Sequence, residues 1–548
     1  MPIVQAGAIN TTALVVPDLY VQIVPPQNLV VNGVPTNVIG VVGTASWGPK
    51  NQPCEIGTMA EYARQFGPVM PRLTDLGTAV AVAVQQGAQD FVCVRVTDTT
   101  DVAAAALFNG TASNDCSFVA GSLYTGSLAN GDKLTLSQGA NSTYTLTVVR
   151  PGLPGEIYTG ITGTGAAFWT NLIAAVNSGT GQMRGPSQLV TLSAGAGANA
   201  SVSPSSLTLP MTITLGTGTG STAGSDGVGS ITSSVLVGSD VAPRTGMYCL
   251  RGQGCSIGML ADCTDSTTWA ATQDPFGLSE GIYMMLAAPQ TPGGSDPSQY
   301  IQNGSNGSVD LKNTAGLNDY ASKLLHGDWI YWQDQTNNVL RLISPQAFAA
   351  GRLANLSPEQ SGLNKPIYGI VASQKSSVVP GSAQIDTYAL ADLQLMIENG
   401  IDVICNPQPG GSYWGLRAGH NSSTNASING DNYTRLTNYV SASLAAGMGI
   451  YVGQVINSTL FQNIRATLLA FLQNMLGQGL LGSLGGSTPF SVICDTTNNP
   501  LSRTSIGYVQ ADVQVQYQGI NEKFIVNLQG GTTVQVTTQT LPTGQVGS

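Results

Sequence analysis

The sequence predicts a mixed α/β core interrupted by an inserted β-rich domain, with extended segments at both ends. Three observations carry this prediction. Strand-like and helix-like patterns alternate over residues 38–96 and resume from 243. Between them, residues 102–215 turn rich in Gly, Ser, Thr and Asn, with short runs of period-2 alternation. Residues 1–30 contain no core-forming helix, and the tail TTVQVTTQT at 532–540 repeats a strand pattern beyond the last domain edge. The divisions are an N-terminal arm 1–30, core 31–101, insertion 102–242, a middle α/β segment of the core 243–385, a C-terminal domain 386–530 and a C-terminal arm 531–548.

In chain order, PDLYVQIVPP at 17–26 is a short strand whose flanking prolines limit pairing. Such a strand needs a sheet edge to join, on its own or another subunit. Val38–Gly43 is a β-branched apolar run ended by glycine, hence a buried strand. A loop punctuated by Gly48-Pro49 and Gln52-Pro53 leads to a brief strand at Glu55-Ile56, then a helix over MAEYARQF. Thr58 and Glu61 have capping-box spacing, and Gly67 stops the helix. A second helix over 73–87 and the strand FVCVRV at 91–96 complete the first core part. KLTLSQ, STYTLTVV, QLVTLS and MTITLG are the insertion's strands, interrupted by a helix at 166–178 and closed by the glycine-rich return loop 216–227.

The core pattern continues through strands GCSIGMLAD, GIYMMLAAP and DWIYWQD, the helix DTYALADLQLMIENG and the strand IDVIC. The helix YTRLTNYVSASLAAG precedes a long helix at 458–476. There Phe461, Ile464, Leu468, Phe471, Leu472 and Met475 share one face, and Arg465 is the only charge. FSVICD, GYVQADVQVQY and KFIVNLQ then read as three strands.

At 548 residues, two to four domains are expected. Charged residues are only 9%, against about a quarter in ordinary soluble domains. Hydrophobic residues at 42% exclude disorder, and the longest strongly apolar run, Ala79–Val84, is far short of a bilayer span of about 20 residues. So little charge points to a surface buried in an assembly. A net charge of −10 without a basic cluster argues against nucleic-acid binding. The start MPIVQAGAINTTALVV has no basic n-region and is not read as a secretory signal. The eight cysteines form no C-x-x-C pair, and several lie in apolar strands, so free thiols in a reducing cytoplasm are the expectation. The sequons, Asn141-Ser-Thr among them, are then chance matches.

No active site is expected. The two histidines, His326 and His420, are isolated and read as ordinary surface or loop residues. Walker A, H-E-x-x-H and EF-hand patterns are absent, and GTGTGSTAGSDG lacks the lysine of a phosphate loop. GCSIG and GLSEG fit G-x-S-x-G as strings, but each serine precedes a strand instead of following one. A hydrolase using Ser279 and His420 is the remote alternative, and a secreted or surface β-rich adhesin the nearer one. No cofactor, metal or membrane insertion is expected.

The order of strand, Trp47-Gly48-Pro49 loop, short strand, capped helix and Phe66-Gly67 stop resembles the N-terminal signature of contractile tail sheath proteins. Collinear pieces extend the resemblance: PDLYVQIVPP, QGAQDFVCVRV (86–96), AGSDG (223–227), RTGMYCL (244–250), ISPQAFAAGRLAN (343–355), GSYWGLR (411–417), YTRLTNYV (433–440) and ICDTTNNP (493–500). The chain departs from the family at LRAGH (416–420) and across 102–215. The resemblance implies a core assembled from both ends of the chain with the insertion facing outward. It implies a structural subunit of a virion tail, not an enzyme, made in the host bacterial cytoplasm. Such subunits form hexameric rings stacked as a helical polymer around an inner tail tube, with baseplate and terminator proteins as partners. Contraction drives the tube through the target envelope without nucleotide hydrolysis. Terminal arms would add strands to neighbours' sheets: Leu19, Tyr20, Val21, Gln22, Ile23 and Val24 at one end, Thr532, Thr533, Val534, Gln535, Val536 and Thr537 at the other. Arg465, on the polar face of the long helix, is the candidate for facing the tube.

Overall fold

A computed structural model describes residues 3–5, 21–23, 31, 33–180, 184–302, 305–376 and 386–533. Its centre is a seven-stranded sheet in the order Ile401–Asp402, Ser322–Leu325, Tyr283–Ala287, Ile257–Leu260, Val38–Gly43, Asp90–Arg95, Pro53–Ile56. All neighbours run parallel except the antiparallel edge strand Pro53–Ile56. Val38–Gly43 pairs directly with Ile257–Leu260, so both halves of the split core share one sheet.

Both faces are covered over the central strands, which explains why Val38–Gly43, Ile257–Leu260 and Tyr283–Ala287 are apolar throughout instead of alternating. Ile39, Val41, Met259 and Met285 pack on one face beneath helices Met59–Phe66, Leu76–Gln85 and Gln346–Ala354. Val42, Leu260, Met284 and Leu286 pack on the other with Trp269, Phe276 and Met396. Thr58 caps the first helix through Glu61 N–H at 3.2 Å, while the Glu61 carboxylate reaches the amide of Gly57 at 2.8 Å, one residue before the cap.

The strands between residues 102 and 215 form a four-stranded sheet and a three-stranded sheet. Helix Gly165–Ser178 contributes Phe168, Trp169 and Leu172 to the shared core of this region. Leu236 and Val237, further along, belong to the central core instead. A fourth apolar cluster joins Val31, helices Asp431–Met448 and Ser458–Gly477, and the antiparallel pair Phe490–Ile493/Asp512–Val515. Phe461, Ile464, Leu468, Phe471, Leu472 and Met475 of the long helix are all buried there, as their spacing predicts.

Three expectations are corrected. KFIVNLQ is not a strand: residues 516–530 carry no regular structure, and Phe524, Ile525, Val526 and Leu528 are exposed. IDVIC is broken at Val403 into two short strands belonging to different sheets. The histidines are buried, not surface residues, with His326 at 1% exposure and His420 at 7%. His326 accepts from or donates to Ser308 Oγ at 2.7 Å, and burial pushes its pKa down to about 4.

Candidate assembly surface

The core meets the inserted domain through a dense polar and aromatic joint. Arg95 ends its strand fully buried. Its Nε donates to Ala45 O at 3.1 Å, Nη1 to Gly48 O at 2.7 Å and Thr125 O at 2.9 Å, and Nη2 to Asp226 O at 3.3 Å. One guanidinium therefore ties the Trp47-Gly48-Pro49 loop to Thr125 inside the insertion and to the chain leaving it at Asp226. Burial lowers the Arg95 pKa, with Asp101 and Asp226 opposing. Trp47 leaves the core and packs into the insertion's apolar cluster, where Arg150 lies 3.9 Å over its ring. Gly48 has φ +99°, and a Cβ there would fall 2.6 Å from Gln65 O, so the loop needs glycine. Arg72 Nη1 closes the joint on Asp226 at 2.6 Å. Burial alone would raise Asp226, but Ser127 N–H and Arg72 outweigh it and hold the carboxyl below its ordinary value.

A second buried polar centre lies where the central sheet passes into the C-terminal domain. Lys323 Nζ donates to Asp402 Oδ2 at 2.6 Å, His420 O at 2.7 Å and Asp431 Oδ1 at 3.0 Å. All three charged side chains are fully buried. Burial would depress Lys323, but the two carboxylates outweigh it and hold the amine above its usual value. Tyr283 OH donates to Asp431 at 2.6 Å. The sequence reading missed this cluster and the role of Arg95. The available signal was a charge inside an apolar run, Lys323 in SKLL and Asp402 in IDVIC, within a chain only 9% charged.

The C-terminal rim is built differently. Phe490–Ile493 and Asp512–Val515 form a sheet of only two strands, leaving an outer edge on each without a described partner strand. The chain then leaves the body, held by Asn432 Nδ2 donating to Gln518 O at 3.0 Å and by a 2.8 Å contact between His420 Nε2 and Glu522 Oε1. Phe524 at 82% and Leu528 at 91% exposure are turned to solvent among the described residues.

Among the residues assigned to the arms, Val21–Ile23 form a strand, but it pairs in parallel with Ile3–Gln5 of the same chain, so this segment has a local partner. Thr532 and Thr533 are exposed and lie in a turn. Leu19, Tyr20, Val24, Val534, Gln535, Val536 and Thr537 fall outside the described residues. Arg465 is exposed, one turn after Phe461 and so at the flank of the long helix's apolar stripe. Its charge acts on Asp495, which is held low chiefly by Thr497.

Ser279 Oγ donates to Phe276 O, whereas His420 is engaged with Glu522, so the remote hydrolase pair is not hydrogen-bonded. Among the described residues no group of three or more His, Cys, Asp or Glu is placed to hold a metal, and no helix is long and apolar enough to cross a membrane. All eight cysteines are free thiols.

No family model and no curated protein matches the chain. Solved structures do. A sheath tail protein from Listeria innocua aligns with TM-score 0.55 at 12% identity, covering 85% of this chain and 90% of that one. A sheath tail protein from Desulfitobacterium hafniense gives 0.53 at 13%, covering 87% and 93%. The helical sheath of the anti-feeding prophage, solved in its contracted state, gives 0.51 at 10%, covering 94% and 99%. The chain has the fold of sheath tail proteins.

Proposed function

We propose that this chain is the structural subunit of a contractile sheath, polymerising as stacked hexameric rings around an inner tube and shortening to drive that tube through an envelope. The reading is carried by the fold likeness, which spans 85% of the chain or more for neighbours described as sheath proteins. The rim supports it: a two-stranded sheet with open edges lies beside an exposed apolar segment, the two halves of an intermolecular strand addition. Residues 19–24 and 532–540 serve as the arms, the first together with its partner Ile3–Gln5. Baseplate, terminator and tube proteins are the partners, and the polar face around Arg465 meets the tube.

Negative-stain imaging of the purified full chain tests the reading, with hollow cylinders expected and monodisperse monomers at high concentration refuting it. Deleting residues 1–26 should leave folded subunits that no longer polymerise; long sheaths from that variant would remove the N-terminal arm as the link. Arg465→Glu should impair tube-dependent assembly only, and unchanged assembly on the tube would eliminate that contact.

A further inference from the structure

The buried centre around Lys323 has the parts of a self-acylating site. An amine sits 2.6 Å from one carboxylate oxygen, which places the carboxyl carbon at roughly 3–3.5 Å, the range of near-attack contacts. A second carboxylate, Asp431, touches the same amine at 3.0 Å. The far oxygen of Asp402 accepts the amides of Val403 and Ala418, both at 2.8 Å, and of Arg417 at 3.1 Å. Three amide donors on one oxygen are placed to receive the charge of a tetrahedral intermediate, while the oxygen facing Lys323 accepts a single amide, Gly419 N–H at 2.9 Å. Lys323, Asp402 and Asp431 are fully buried, so water is kept from the reacting atoms.

We propose that Lys323 and Asp402 form an intramolecular isopeptide bond, with Asp431 as the catalytic carboxylate. One proton passes from the Lys323 ammonium to Asp402, leaving a neutral amine and a carboxylic acid. The Nζ lone pair attacks Asp402 Cγ, and the negative charge collects on Oδ1 against the amides of Val403, Arg417 and Ala418. Asp431 takes a second proton from Nζ and delivers it to Oδ2. The Cγ–Oδ2 bond breaks, one water leaves, and Asp431 returns to its carboxylate form. No other reactant is needed: three ammonium hydrogens end as one amide hydrogen and two on water. The product replaces a buried ion pair, costly to desolvate, with a neutral amide. It also staples strand Ser322–Leu325 to the two-residue edge strand Ile401–Asp402, where the chain leaves the central sheet.

The full-length folded chain is analysed by intact mass under denaturing conditions, followed by peptide sequencing. The wild-type chain is expected one water lighter than its sequence mass, with peptides containing Lys323 and Asp402 joined. Lys323→Arg and Asp431→Asn are each expected at their full sequence mass. A folded wild-type chain at its sequence mass overturns the proposal without reference to any variant. So does a lost water that maps to a succinimide at another aspartate with the Lys323 amine free.

Discussion

The chain makes two joints to its core, and they are built in opposite ways. The insertion is fastened by a fully buried arginine that binds three separate loops, by a tryptophan transferred into its core, and by the Arg72–Asp226 pair. The C-terminal segment is held near its start by Gln516 N–H on Pro489 O at 2.7 Å, Thr437 Oγ1 on Tyr517 OH at 3.3 Å and Asn432 on Gln518 O, then by the His420–Glu522 contact, with Phe524, Ile525, Val526 and Leu528 turned to solvent. The first joint has its partners within the chain. The second leaves surface uncovered that another molecule can bury.

Removing Arg95 should break the comparison most severely. Arg95→Ala leaves the carbonyls of Ala45, Gly48, Thr125 and Asp226 without this donor in a buried site. A loss of about 3–5 kcal/mol in denaturant unfolding is expected, as for other broken buried charged networks. Limited proteolysis should cut first near residues 97–104 and 222–230, where the insertion enters and leaves. A loss below about 1 kcal/mol with unchanged cleavage would mean that the two joints are not different in kind.

Asp75 sharpens the comparison through pH. It caps helix Leu76–Gln85 by accepting from Thr78 N–H at 2.7 Å, and it faces Arg72 of the joint at 3.8 Å. Burial raises its pKa from 3.8 to about 6, against the hydrogen bonds of Thr78 and Met70 and the charge of Arg72. The folded chain therefore holds this proton more tightly than the unfolded chain. The contribution is full below pH 3.8 and is lost as pH rises through 6. It amounts to at most about 3 kcal/mol between those limits. Wild type should gain more stability than Asp75→Asn between pH 7.5 and 5, roughly. His326, lowered to about 4 and so acting with the opposite sign, is common to both chains and cancels. Parallel pH profiles would show that the joint carries no such proton.

How much of this was legible depended on where each residue's partner lies. The covered strands Val38–Gly43 and Tyr283–Ala287, the cap at Thr58 and the long helix were readable because periodicity and capping are local. Arg95 was visible only as part of a valine-arginine-valine strand, since its acceptors lie as far away as Asp226. The histidines were misread for the same reason: His326 owes its burial to Ser308, 18 residues upstream, and to Pro297, 29 residues upstream. KFIVNLQ has the composition of a strand, but a strand needs an edge, and nothing in the sequence of one chain says whether that edge lies in another. The exposed Phe524, Ile525, Val526 and Leu528 were therefore read as one more strand of the C-terminal domain and not as surface.

The smallest effect is expected at the weak joint. Glu522 is 40% exposed where it meets His420, so screening and side-chain entropy leave the contact little net value. Glu522→Gln should change subunit stability by less than about 1 kcal/mol, within the range of exposed ion pairs. Its readout is local: amide exchange over residues 516–530 should quicken while exchange across the central sheet and the Arg95 joint stays unchanged. A contact that only tethers a segment awaiting a partner behaves this way, because releasing it exposes no new core. If Glu522→Gln instead lowered the cooperative unfolding midpoint as Arg95→Ala is expected to, residues 516–530 would be part of the folded body. Their exposed Phe524 and Leu528 would then need an explanation other than a waiting partner.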